Sequence, residues 1–197
     1  MTNAIRSPRG INRRGFLDNG QTFLSAGVIA LLAGCTTNAA MPMSSGSAEG
    51  DVAILNVALS LEHEAIDAYQ LGAESKLLDK PVLDVAVLFQ GHHKEHRDAL
   101  AATVRKLGGT PVEPKMMNDY ATVLNAGAIK SQGDILVLAA KLERGAANAY
   151  LGVIPSFKDT ELAKIAGRLA ADETMHWTAL AGALKQNLPQ KALSFAA

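Results

Sequence analysis

Cysteine is nearly absent. Cys35 stands alone, so no disulfide can form within the chain and no zinc site can be built on thiolates. Aromatic residues make up only 5%, and runs of β-branched residues are few, which removes the usual material of a sheet. Neither sign of charge is in excess, since 19 basic side chains balance 19 acidic ones. The part after residue 50 carries no basic cluster, which argues against nucleic acid as a partner. What remains is rich in Ala, Leu, Glu and Lys, the strong helix formers. With 48% hydrophobic residues in 197, the chain has enough apolar material for one core.

Residues 1–35 read as an export signal. Arg6, Arg9, Arg13 and Arg14 make a basic start, followed by the apolar run 23–34, which is too short to cross a bilayer comfortably as a helix. Asn12-Arg13-Arg14-Gly15-Phe16-Leu17 resembles the twin-arginine export motif, with departures at Asn12 and Asp18 that leave ordinary export open. Leu32-Ala33-Gly34-Cys35 resembles a bacterial lipobox, whose cysteine is lipidated and becomes the first mature residue. The expectation is a lipid on Cys35, against the alternative of cleavage within 36–41. Residues 36–50, rich in Ser, Ala, Gly and Met, read as a flexible linker. Loss of the leader removes four Arg and Asp18, leaving a mildly acidic remainder.

Residues 51–197 read as a single all-α domain with four long helices, expected over about 52–75, 81–107, 134–153 and 160–186. The first stripe is Leu55, Ala58, Glu62, Ala65 and Tyr69; the second is Val85, Phe89, His93, His96, Leu100, Thr103 and Leu107. The third is Leu136, Ala139, Glu143, Ala146 and Tyr150, and the fourth runs through Leu162, Ala166, Leu169, Glu173, His176, Leu180 and Leu184. His63, Glu64, His92 and Glu95 fall off the stripes and are expected in solvent, and Trp177 is expected to pack on a neighbouring helix or subunit. Short links join the first pair and the last pair of helices. The middle connection, 110–131, is long enough to travel the length of a bundle, with a short helical piece expected near 120–124.

The two helix pairs repeat one another. Leu61-Glu62-His63-Glu64-Ala65-Ile66-Asp67-Ala68-Tyr69 aligns with Leu142-Glu143-Arg144-Gly145-Ala146-Ala147-Asn148-Ala149-Tyr150, and His96-Arg97-Asp98-Ala99-Leu100 with His176-Trp177-Thr178-Ala179-Leu180. Glu62 thereby matches Glu143, His96 matches His176, and His93 falls opposite Glu173. Carboxylates and imidazoles inside apolar stripes are costly unless something satisfies them. Residues three apart on a helix share a face and can converge on one ion.

On these residues the chain resembles the ferritin-like superfamily of di-iron and di-manganese carboxylate bundles. The resemblance implies an antiparallel four-helix bundle with one long crossover between the second and third helices. It also implies a metal site of Glu62, His93, His96, Glu143, Glu173 and His176. Five of these match the family pattern, and His93 stands where a glutamate is expected. Three Glu and three His suit one or two divalent ions, iron or manganese first and zinc as an alternative. The function implied is an exported metal protein of the bacterial envelope, periplasmic or held to the membrane by its N-terminal lipid. Its work would be iron or manganese oxidation or peroxide removal, and self-association stays open. The alternative is a non-catalytic, lipid-tethered bundle that binds a partner and carries a degenerate site. Haem finds no support, because the chain has no Cys-x-x-Cys-His.

Overall fold

The computed structural model describes residues 48–196; the signal, Cys35 and nearly all of the linker lie outside them. Five α-helices follow in order: α1 (Ala48–Glu74), α2 (Lys80–Lys106), α3 (Met117–Val123), α4 (Gln132–Val153) and α5 (Thr160–Ala183). Two short 3-10 turns, Ala126–Ala128 and Ile154–Ser156, complete the described residues, which contain no strand. None of these helices is long and apolar enough to cross a membrane.

Local chemistry sets the helix starts. Asp79 accepts from the Val82 amide at the start of α2, with Pro81 in the first turn, where its missing N–H costs nothing. Ser131 accepts from Asp134 N–H at α4, and Asp159 from Glu161 N–H at α5. The end of α2 closes in a Schellman turn. Gly108 takes φ +81°, Gly109 N–H donates to Val104 O, and Gly108 N–H donates to Arg105 O.

The links keep α1 with α2 and α4 with α5 as antiparallel hairpins. The long connection, which contains α3, carries the chain from α2 to α4, and α1 packs on α4 across the two hairpins. This is the ferritin-like order of a four-helix bundle. Its core falls into two apolar clusters. Leu55, Leu59, Leu100, Val104, Tyr150, Leu162 and Leu169 fill one end. Tyr69, Phe89, Leu136, Trp177 and Leu180 fill the other. Between them, at the middle of each long helix, sit the buried charged residues.

The second stripe differs from its expected register at both ends. Val85 is 40% exposed and Ala86 takes its inward place, while Val104 is buried where Thr103 was expected. The inward residues on either side of the His pair are Ala86, Phe89, Leu100 and Val104, which follow steps of three and four that include neither Val85 nor Thr103. Trp177 packs within its own chain, edge-on to Phe195 of the C-terminal segment, and Arg144 lies over both rings.

Candidate metal centre

Each of the four long helices delivers its mid-stripe residues to the same point. Glu62 comes from α1, His93 and His96 from α2, Glu143 from α4, and Glu173 and His176 from α5. All six are buried, with Glu173 and His176 fully so. Six ionisable groups in an apolar interior have to satisfy one another or a bound ion.

Most of them do approach one another. His93 Nδ1 lies 2.8 Å from Glu62 Oε2, and His93 Nε2 lies 3.2 Å from Glu143 Oε1. His176 Nδ1 is 3.1 Å from Glu173 Oε2 and 3.4 Å from Glu143 Oε2. The exception is informative. His96 Nδ1 and Glu173 Oε1 are 3.2 Å apart, yet misaligned, and neither buried atom has a hydrogen-bond partner. Buried orphans of this kind are rare and call for an explanation such as an ion.

The donor atoms divide into two groups that share His93 and Glu173. One comprises Glu62, His93, His96 and Glu173; the other comprises His93, Glu143, Glu173 and His176, with ligand atoms inside each group within 4.8 Å of one another. Mixed imidazole and carboxylate donors at these spacings fit a divalent first-row ion.

Further side chains hold the six in place. The Tyr69 hydroxyl donates to Glu143 Oε1 and the Tyr150 hydroxyl to Glu62 Oε1, so each hairpin's tyrosine serves the other hairpin's glutamate. Burial and the adjacent carboxylates push both phenols well above their usual range, so both remain proton donors. On the far side of the rings, His96 Nε2 is 3.3 Å from Asp172 Oδ2, and His176 Nε2 is 2.9 Å from His92 Nδ1. Phe89 stacks on His176 at 4.1 Å between centroids. Such partners fix the orientation of an imidazole that would ligate through its inner nitrogen.

Of the four residues expected in solvent, only Glu95 is exposed; His63 is half-buried, with its Nε2 3.2 Å from Val112 O. His92 is half-buried against His176, and Glu64 is half-buried beside Tyr69 and His93, where desolvation raises its carboxyl to about 7. His92, with Asp172, lines an open cleft of about 460 Å³ between α2 and α5, together with Glu95, His96, Arg168 and Met175. Neither role follows from helical period. His92 sits beside a stripe residue and Asp172 begins the Asp-Glu-Thr-Met-His run, but only the placement of α5 against α2 brings them to the rings.

Protonation follows the same contacts. Burial works against charge on Glu62 and Glu143, but their imidazole partners prevail and hold both carboxyls below the ordinary range. Glu173 is raised, because burial outweighs its histidines. Burial likewise opposes charge on the histidines, yet the surrounding carboxylates lift His93 well above its usual value, His96 to about 10, and His176 upward. The metal-free cluster is thus held together by protons that a metal would displace.

Over residues 50–186 the sequence matches the family model described as "Ferritin-like domain". No curated protein matches the chain. Among solved structures, a conserved hypothetical protein of Mycobacterium tuberculosis superposes with a TM-score of 0.61 at 22% identity, covering 76% of this chain and 99% of that one. The dodecameric thioferritin of Bacteroides fragilis, a bacterioferritin-related protein, does so with 0.61 at 19% identity, covering 81% and 92%. At these identities the likeness is one of fold.

Proposed function

Because the chain belongs to the ferritin-like domain family, we propose that it is an exported metal-handling protein of the bacterial envelope, tethered through a lipid on Cys35. Its centre holds divalent iron or manganese, with zinc as the alternative, on Glu62, His93, His96, Glu143, Glu173 and His176. The observation that carries this reading is the pair of orphaned buried atoms, His96 Nδ1 and Glu173 Oε1, facing each other at the point where the other ligands converge.

Iron or manganese, when bound, supplies one-electron chemistry toward oxygen or peroxide. The chain's own residues do the rest. Tyr69 and Tyr150 donate hydrogen bonds to the carboxylates of Glu143 and Glu62, Asp172 and His92 orient His96 and His176, and the two apolar clusters keep bulk water from the bundle axis. The cleft beside His96 is the side from which a small substrate reaches the centre. Self-association, for which the dodecameric neighbour is the precedent, belongs to the same proposal.

A second reading, a tethered bundle with a degenerate and non-catalytic site, draws support from the Glu62–His93 pair, which satisfies itself at 2.8 Å. The two separate on turnover. The iron- or manganese-loaded protein should consume peroxide or oxygen well above free metal, and Glu143→Ala should abolish the excess. Metal held without any excess turnover would favour the second reading.

A further inference from the structure

We propose that His93 is a bridging ligand, with Nδ1 serving one metal subsite and Nε2 the other. This rests on the metal reading above and goes beyond it, because it assigns the number of ions and how they are joined. The ring is set between the two donor groups. Its Nδ1 lies 2.8 Å from Glu62 Oε2 and 3.8 Å from Glu173 Oε1, on the side of His96. Its Nε2 lies 3.2 Å from Glu143 Oε1, on the side of His176.

Glu173 is divided in the same way. Oε1 is 3.2 Å from His96 Nδ1, and Oε2 is 3.1 Å from His176 Nδ1. One carboxylate and one imidazole therefore span the centre, each with one donor atom per subsite. The His93 ring cannot turn away to face a single ion. It is 99% buried, lies against the Tyr69 ring at 5.5 Å, and stands across the rings of His96 and His176 at 83° and 61°.

Charge supports the same assignment. Two divalent ions with only Glu62, Glu143 and Glu173 leave the centre at net +1. An imidazole whose two nitrogens both hold metal has released both ring protons to solvent and carries one negative charge. His93 thereby supplies the charge that a fourth carboxylate would supply, without any exogenous anion. No electron is transferred in this step.

Copper(II) is the probe, because it binds N and O donors tightly and is paramagnetic. The metal-depleted full chain is titrated with copper(II) and followed by low-temperature electron paramagnetic resonance. The expected result is two ions per chain, with the signal per copper falling sharply as the second enters, because the ring couples the two spins. Replacing one copper by zinc should restore the full signal. His93→Gln should weaken the coupling sharply, leaving only the Glu173 carboxylate between the two sites, while some copper still binds.

Two uncoupled coppers, a single copper, or coupling of unchanged strength in His93→Gln would each overturn the bridge while leaving the metal reading intact. No copper bound at all would overturn both. If His93→Gln fails to fold, zinc-loaded parent protein with ¹⁵N-labelled histidine decides. Both His93 ring nitrogens shifted, with no ring N–H, supports the bridge; a retained ring N–H overturns it.

Discussion

Glu173 shows what single side chains contribute here, since it is wholly buried, raised by desolvation, and still short of a hydrogen bond at Oε1. The histidines around it give a pH dependence whose sign is fixed. His96 is lifted from 6.5 to about 10 in the folded, metal-free state. Its stabilising contribution is complete below pH 6.5 and is lost as pH rises toward 10. Glu173 acts in the same direction, whereas Glu62 and Glu143, being lowered, are already fully charged above 4.5. Chelator-treated protein should therefore melt at progressively lower temperature from pH 6.5 to 10, while metal affinity measured by calorimetry rises over the same window. A second residue-scale expectation concerns the crossed tyrosines. Tyr150→Phe removes a donor from the buried Glu62 carboxylate and should cost about 1.5–3 kcal/mol in denaturant unfolding of the metal-free protein. The six ligand candidates were legible because mid-helix charge on an apolar stripe stands out at period 3.6. The tyrosine exchange between hairpins was not, because spacing along one helix says nothing of the helix opposite.

Among the elements, α2 is the one whose ends decide the geometry. Its His-x-x-His pair is correctly placed only if the helix stops where Gly108 can turn left-handed and Gly109 can pass close under α1. A Cβ on Gly109 would lie 2.5 and 2.9 Å from the two Cγ atoms of Val52, a β-branched side chain with little freedom to move aside. Gly109→Ala should therefore destabilise the bundle by roughly 1–3 kcal/mol, read as a lower denaturation midpoint with unchanged helix content. Helix existence and the long crossover were legible from local chemistry and link length. The register slip at Val85 and Thr103 was not, because neighbouring apolar positions on one helix compete and the facing helices choose between them.

Across the molecule, the two hairpins form an approximate duplicate about the polar centre, with an apolar cluster closing each end. That symmetry was readable in the repeat. What the repeat could not supply is the outer arrangement, where His92 holds His176 but Asp172 holds His96, so the two halves differ just outside the ligands. Cys35 and the twin-arginine pair lie outside the described residues, and the tether they imply stays part of the proposal. The central claim is that the polar centre is a metal site, and metal content tests it most directly. Full-length protein purified without chelators, assayed by elemental mass spectrometry and then refilled after depletion, should hold one or two divalent ions per chain. Glu173→Ala should lose most of that metal while keeping its helix content. Parent protein that carries no divalent metal as isolated, and takes up none on refilling, would contradict the account.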